Sequence, residues 1–297
     1  MFYFLPLAFS TLGIIGKMAY AEHVTVMSFL FWRSLISLIV FWSCLYFLFP
    51  RKEFLKIGSK NIKISMVAGI FGFYLASMFG LAGLLYIDPG VGAIVYSIYP
   101  IFVILLNAAI KKRIPPWQHI AVLFGTQVGL FLVVNGAGDI NIIKQSILGV
   151  ILELICAFCT AIYIIATQSV TQKLKSLDFI VYSITGGFIA TAVHYIIFEN
   201  ISDLKVSFYG FILAVLSALF LSGSYLLLSK GIKVIGGSRS SLISSVSPLF
   251  AVLISYLVLG EVLNLPQIVG GAIIIISVLL LERKILVLIG RGKFLLK

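Results

Sequence analysis

Charge is what this sequence has least of. Of its 297 residues only 11% are Asp, Glu, Lys or Arg, against 61% hydrophobic, where a soluble domain carries about 25% charged residues. So little polar surface cannot cover a water-soluble globule of this length, and a mean hydropathy of +1.16 makes lipid the solvent for most of the chain. Acidic residues are scarcer still, 10 against 22 Lys and Arg, for a net charge of +12. A basic balance points to nucleic acid only when the cations gather on one soluble face. Here they come in short bursts between apolar runs, which argues against nucleic acid as a partner.

Cysteine and histidine number three each. Cys44, Cys156 and Cys159 all lie in apolar runs, and an odd count there argues against a disulfide framework. Cys156 and Cys159 sit three apart, which on a helix puts two small side chains on one face; packing accounts for them. No further Cys or His lies nearby in sequence to complete a metal or redox site, so neither a metal nor a cofactor is expected. A phosphate-cradling loop ending in Gly-Lys-Ser/Thr is also missing, which argues against ATP-driven chemistry.

What the chain has is long apolar runs. A membrane helix needs about 20 mostly apolar residues, and ten segments meet that standard, near 2–20, 25–49, 63–86, 90–110, 117–135, 147–170, 178–198, 207–230, 238–259 and 265–282. Ala19-Tyr20-Ala21 resembles a small-residue cleavage site, but no Lys or Arg precedes the first run, so a retained helix is expected rather than a signal peptide. Most cations sit in alternate connections, as in Arg51/Lys52/Lys56, Lys111/Lys112/Arg113, Lys173/Lys175, Lys230/Lys233 and the tail after Arg283. The positive-inside rule then places both termini in the cytoplasm of a cell bounded by this plasma (inner) membrane.

Shifting the chain by 148 residues brings its halves into register: AIVYSIYPIFVILLN from Ala93 falls on SLISSVSPLFAVLIS from Ser241, and Pro100 falls on Pro248. Five helices per half is an odd number, so the second copy must enter the membrane from the opposite side. The expected fold is therefore an all-α membrane protein of ten helices in two inverted five-helix repeats, residues 1–137 and 147–284, followed by a basic tail, 285–297, on the inner leaflet. On the fourth helix Gly92, Tyr96, Tyr99, Val103 and Asn107 share one face; their counterparts are Ser240, Ser244, Ser247, Ala251 and Ser255. Such a stripe either packs on another helix or lines a water-filled cavity. Each proline frees a carbonyl one turn earlier, that of Tyr96 or Ser244. Tyr96, Tyr99, Pro100, Asn107, Ser244, Ser247 and Pro248, with Tyr74 and Tyr225, are the candidate cavity residues; the aromatics could equally be spacers between helices.

These features resemble the EamA family of the drug/metabolite transporter superfamily. The second repeat is similar through Pro248, Gly260-Glu261, Gln267 and Gly270, and the first through Lys17, Arg33, Tyr86 and Pro100. The resemblance covers about residues 3–284. It departs where the family's first repeat usually ends its fourth helix in Gly-Glu: here the residues are Lys112-Arg113. The resemblance implies a ten-helix carrier working by alternating access on amino acids, nucleosides, sugars, drugs or other metabolites.

Charges inside a span cost several kcal/mol, so Lys17, Arg33, Glu153 and His194 each need a reason. All four fall in the outer half of the membrane by the expected orientation. Glu153 is either a proton-coupling carboxylate or one member of a structural ion pair with Arg33 or Lys17. Arg33 is expected to pair with Glu153 or helix carbonyls, or to hold an anionic substrate group. His194 and Lys17 suit the interface. The expected function is secondary transport of a small metabolite, with membrane lipid around it, protons as candidate coupling ions, and a monomer or homodimer as the working unit. The competing readings are a membrane assembly protein using Gly125-x-x-x-Gly129 and an intramembrane enzyme, for which only Glu153 and His194 offer catalytic groups.

Overall fold

A computed structural model describes residues 11–48, 58–87, 89–112, 114–115, 117–136, 147–200, 204–244, 247, 265–266 and 268–277. The candidate Pro248, the Gly260-Glu261 pair, Gln267, the 285–297 tail and the junction after residue 136 lie outside them. Every regular element among the described residues is helical: α1 (Leu12–Ala21), α2 (Val26–Leu48), α3 (Ser59–Gly69), a π-helical segment (Ile70–Leu75), α4 (Ala76–Gly83), α5 (Pro89–Tyr96), α6 (Tyr99–Lys111), α7 (Trp117–Gly136), α8 (Ile147–Val170), α9 (Ser176–Phe198), α10 (Phe208–Ile235) and α11 (Gly237–Ser244). A further short helix, α12, covers Ile268–Ser277.

Five of these stretches are long and apolar enough to cross a bilayer: Val26–Phe47, Ser59–Gly83, Ile147–Val170, Ser176–Phe198 and Phe208–Ile235. At 1.5 Å per residue, 22 to 28 residues reach roughly 33–42 Å, enough to traverse a core about 30 Å thick. In lipid such segments must be helical, because no water is available to satisfy the backbone. Large apolar side chains point outward, Phe47, Ile196 and Phe208 among them, as a lipid-facing surface requires. The ends carry local signals. The Thr25 hydroxyl accepts from the Ser28 N–H at 3.2 Å, Ser207 accepts from the Gly210 N–H at 2.9 Å, and Gly236 turns the chain out of α10 at φ +84°.

Two expected spans are not continuous α-helix. The third contains the π-helical turn at Ile70–Leu75. The fourth breaks at Ser97–Ile98, so that Pro100 occupies the first turn of α6 rather than kinking one long helix. A proline's missing N–H costs nothing at such a position.

The packing pairs are reciprocal between the halves. α1 packs on α10, and α8, which contains the positions 148 residues later, packs on α3, the π turn and α4. Likewise α2 packs on α10, while its counterpart α9 packs on α3, and α2 and α9 pack on each other. α5 and α11 are both eight residues long and start 148 positions apart, at 89 and 237. α8 is the hub, touching α3 through α6, α10 and α11.

Glycines permit the closest approaches. A Cβ on Gly69 would collide with the Ser183 carbonyl, and one on Gly186 with the Met66 carbonyl, so α3 and α9 lie backbone against backbone. A Cβ on Gly125 would strike the Ser277 hydroxyl, and one on Gly129 would lie 2.6 Å from the Gly270 oxygen. The Gly125-x-x-x-Gly129 motif therefore packs α7 on α12 of the same chain. Lys112, at the end of α6, adopts the left-handed conformation with φ 49° and ψ 43°. This is where the family's usual glycine would stand, and a lysine there is strained by roughly 1 kcal/mol.

Two consequences can be measured by thermal unfolding in detergent. Gly69→Ala should lower stability by about 3 kcal/mol, whereas Gly58→Ala, with nothing within 4 Å of its Cβ, should be tolerated. Lys112→Gly should raise stability by about 1 kcal/mol by relieving the left-handed strain.

Candidate functional site

The inward face of α8 carries Glu153, Cys156, Ala157, Thr160, Tyr163, Ile164 and Thr167, all buried. The spacing of three and four residues keeps them on one stripe, and the neighbours differ along its length.

At the N-terminal end, Glu153 is 5% exposed and lies against two glycines. A Cβ on Gly83 of α4 would sit 3.1 Å from its Cγ, and one on Gly92 of α5 would sit 3.2 Å from its Oε1. One turn on, a Cβ on Gly80 would sit 3.1 Å from the Cys156 Sγ. Glycines at 80, 83 and 92 therefore make the room that this carboxylate occupies.

In the middle is a layer of tyrosines. The Tyr96 hydroxyl, from α5, lies 3.5 Å from the Thr160 Oγ1, and the rings of Tyr96 and Tyr99 stack with centroids 5.1 Å apart. Tyr225 of α10 meets Tyr163 edge-on at 4.7 Å and Phe73 at 4.7 Å, and its hydroxyl donates to the Gly72 carbonyl at 3.2 Å. Gly72 belongs to the π turn. Widening a helix takes carbonyls out of the ordinary i to i−4 ladder, which gives the Tyr225 hydroxyl its acceptor. The Tyr99 hydroxyl donates to the Ser241 carbonyl of α11 at 2.8 Å, so Tyr99 ties α6 to α11.

At the C-terminal end is a closed polar knot. Gln168 donates from Nε2 to the Asn107 Oδ1 at 3.2 Å, and its Oε1 accepts from the Gly237 N–H at 2.8 Å. The Asn107 Nδ2 donates to the Ser238 Oγ at 3.1 Å. Asn107 thus holds α6, α8 and α11 together. Nothing in the sequence marked Gln168 beyond its place in a span; the partner residues come from distant segments.

The remaining expected residues fall in different places. Ser244 and Ser247 donate to carbonyls of their own segment, Ser240 at 2.8 Å and Ser244 at 2.6 Å. Tyr74 and His194 meet each other, hydroxyl to Nδ1 at 2.5 Å, in a cluster with Met27, Leu30 and Tyr195 that is separate from the tyrosine layer. His194 therefore has a protein partner rather than only the interface expected for it. Lys17 is exposed. A cleft of about 740 Å³ lined by Trp32, Leu204, Ser207 and Phe211 lies beside the start of α10, away from the tyrosines.

Arg33 was expected to pair with Glu153 or helix carbonyls, or to hold an anionic substrate group. It is 4% exposed, its Nη2 has no hydrogen-bond partner, and among the described residues no ion pair joins it to Glu153. The guanidinium instead lies 5.8 Å from the Phe29 ring one turn earlier on α2, while Glu153 is held against Gly83 and Gly92. Tyr20, whose hydroxyl donates to the Leu81 carbonyl at 2.8 Å, is within electrostatic reach of both charges.

Tyr99→Phe should leave the Ser241 carbonyl without its partner and cost about 1 kcal/mol, read as a lower unfolding midpoint in detergent with unchanged helical content.

The comparisons with known proteins agree with this architecture. The EamA-like transporter family matches residues 1–135 and 147–283. The uncharacterized transporter YcbK of Bacillus subtilis (strain 168) is 25% identical over 270 residues, covering 88% of this chain and 85% of that protein. The uncharacterized transporter YyaM of the same organism is 27% identical over 226 residues, covering 74% and 73%. A crystal structure that superposes with a TM-score of 0.74 covers 96% of each chain at 15% identity, a likeness of fold. With a match over both halves, apolar spanning helices and relatives named as transporters, the chain belongs to the EamA-like transporter family and is a multi-pass membrane transporter of the drug/metabolite type rather than an enzyme.

Proposed function

We propose that the chain is a secondary-active transporter that moves a small metabolite across the plasma membrane by alternating access. Ten helices form two inverted repeats, residues 1–137 and 147–284, with both termini and the basic tail 285–297 in the cytoplasm. The observation that carries the reading is the convergence of groups from both halves on the stripe of α8: Glu153 with its glycines at one end, Tyr96 in the middle, and Asn107, Gln168 and Gly237 at the other end. A broken helix such as α5–α6, next to a polar site near mid-membrane, is a recurring way of building a carrier site. The reciprocal contacts α1 with α10 and α8 with α3 and α4 support halves that rock against each other, since such pairs can exchange roles.

Glu153 and Gln168 are roughly 22 Å apart along the helix axis. In this arrangement the knot at Gln168 is the closed cytoplasmic gate. Opening it breaks three hydrogen bonds that an alternative state can replace with water. Glu153 is the proton carrier, because two glycines rather than a cation surround it and a neutral carboxyl is less costly in such a place. A single chain contains both halves and suffices as a monomer.

The test begins with untargeted metabolite profiles of cells expressing the protein, to find a solute whose distribution it shifts, followed by transport in proteoliposomes. Glu153→Gln should reduce uptake driven by a pH gradient at least tenfold while exchange of that solute across the membrane continues. Accumulation equal to the wild type's would remove Glu153 from coupling.

A further inference from the structure

We propose that Arg33 is the anchor for the carboxylate of a small monoanionic substrate. This rests on the transport reading above and names the chemical class of the solute. Arg33 is buried to 96% by its 4% exposure, and its Nη2 donates to nothing. A buried guanidinium without an anion is an expensive arrangement, and proteins retain one where a ligand or a partner supplies the missing charge.

The neighbours of Arg33 supply no anion of their own. Tyr20 from α1, Tyr225 from α10 and Cys156 from α8 lie within electrostatic reach of the guanidinium. Their polar hydrogens are engaged elsewhere: Tyr20 donates to the Leu81 carbonyl and Tyr225 to the Gly72 carbonyl. Neither hydroxyl can serve as the anion that Arg33 lacks. Glu153, the one buried carboxylate among the described residues, is held away against Gly83 and Gly92.

The fork of a guanidinium matches a carboxylate with two parallel hydrogen bonds. A dianion such as phosphate would need a second buried cation, and Arg33 is the only buried Lys or Arg among the described residues. The aromatic layer of Tyr96, Tyr163 and Tyr225 supplies the apolar surface on which the body of the solute rests. The geometry thus favours a monocarboxylate with a flat or alkyl body.

The experiment uses purified full-length protein in detergent and reads the thermal unfolding midpoint with acetate, benzoate, phenylacetate and indole-3-acetate, each against its neutral amide, and with inorganic phosphate. At least one carboxylate should raise the midpoint at concentrations where its amide and phosphate do not. Arg33→Met should fold with a midpoint equal to or above the wild type's and lose the response, while Arg33→Lys should keep a weaker one. The proposal is overturned if carboxylates and amides act alike, if phosphate alone stabilises, if none of the probes shifts the wild type, or if Arg33→Met responds as the wild type does. It also falls if both Arg33→Met and Arg33→Lys fail to fold, since the guanidinium then serves structure alone. A neutral solute found by metabolite profiling would overturn it and leave the transport reading standing.

Discussion

The close approach of α3 to α9, backbone on backbone, and of the α4 glycines to side chains of α8 is the constraint on which the rest depends. Lipid gives helices no hydrophobic reason to associate, so close van der Waals approach and shared hydrogen bonds must hold them. Gly69 against Ser183, Gly186 against Met66, Gly80 against Cys156 and Gly83 against Glu153 supply that approach along the third span. With any larger residue at those points α8 would move outward, and its stripe would no longer meet Tyr96, Tyr225 and the π turn. The glycines are therefore part of the site, although they touch no solute.

The same crowding explains how so many polar groups are buried. Most of the hydroxyls find an acceptor one turn back on their own helix, as Thr167 does on Tyr163 at 2.7 Å and Thr191 on Gly187 at 2.9 Å. Such bonds make a polar side chain tolerable in lipid without committing it to another helix. Other groups bridge helices, at the ends and middle of α8 and also away from it, as Ser183 does to the Ser65 carbonyl at 3.0 Å and Ser222 to Ser37 at 2.7 Å. Hydroxyls satisfied on their own helix leave that helix intact when contacts between helices exchange. The Arg33 Nη2 and the hydroxyls of Tyr163, Ser217, Ser229 and Ser240 are buried without a hydrogen-bond partner, and of these only Arg33 carries a charge.

Much of this was legible in the sequence, for physical reasons. A span in lipid must be long and apolar, so α8 appears in the residue pattern with the same bounds, 147–170, that the structure gives. Pro100 marked the place where the fourth span yields, although it ends one helix and starts another instead of bending it. The π turn left no such mark: Gly69 and Gly72 are unremarkable in a membrane helix until Ser183 and Tyr163 are known to press on them. Pairing of Arg33 with Glu153 was one of three readings that charge alone offered, beside helix carbonyls and an anionic substrate group. Side-chain direction and the glycine cradle, both products of packing, decide where each charge lies, and the sequence shows neither. The Asn107–Gln168–Gly237 knot was half visible, as Asn107 on the stripe, and its other members come from segments 61 and more residues away.

Cys156 offers the most direct test of the central claim, that this buried stripe opens to each side of the membrane in turn. It is buried at the tyrosine layer, and Cys44 and Cys159 can be replaced by serine so that it reports alone. In right-side-out and inside-out vesicles, a membrane-impermeant thiol reagent should label Cys156 from both faces, and a transported solute should slow both reactions. Labelling from neither face, or only after detergent has dissolved the membrane, would contradict alternating access through this stripe.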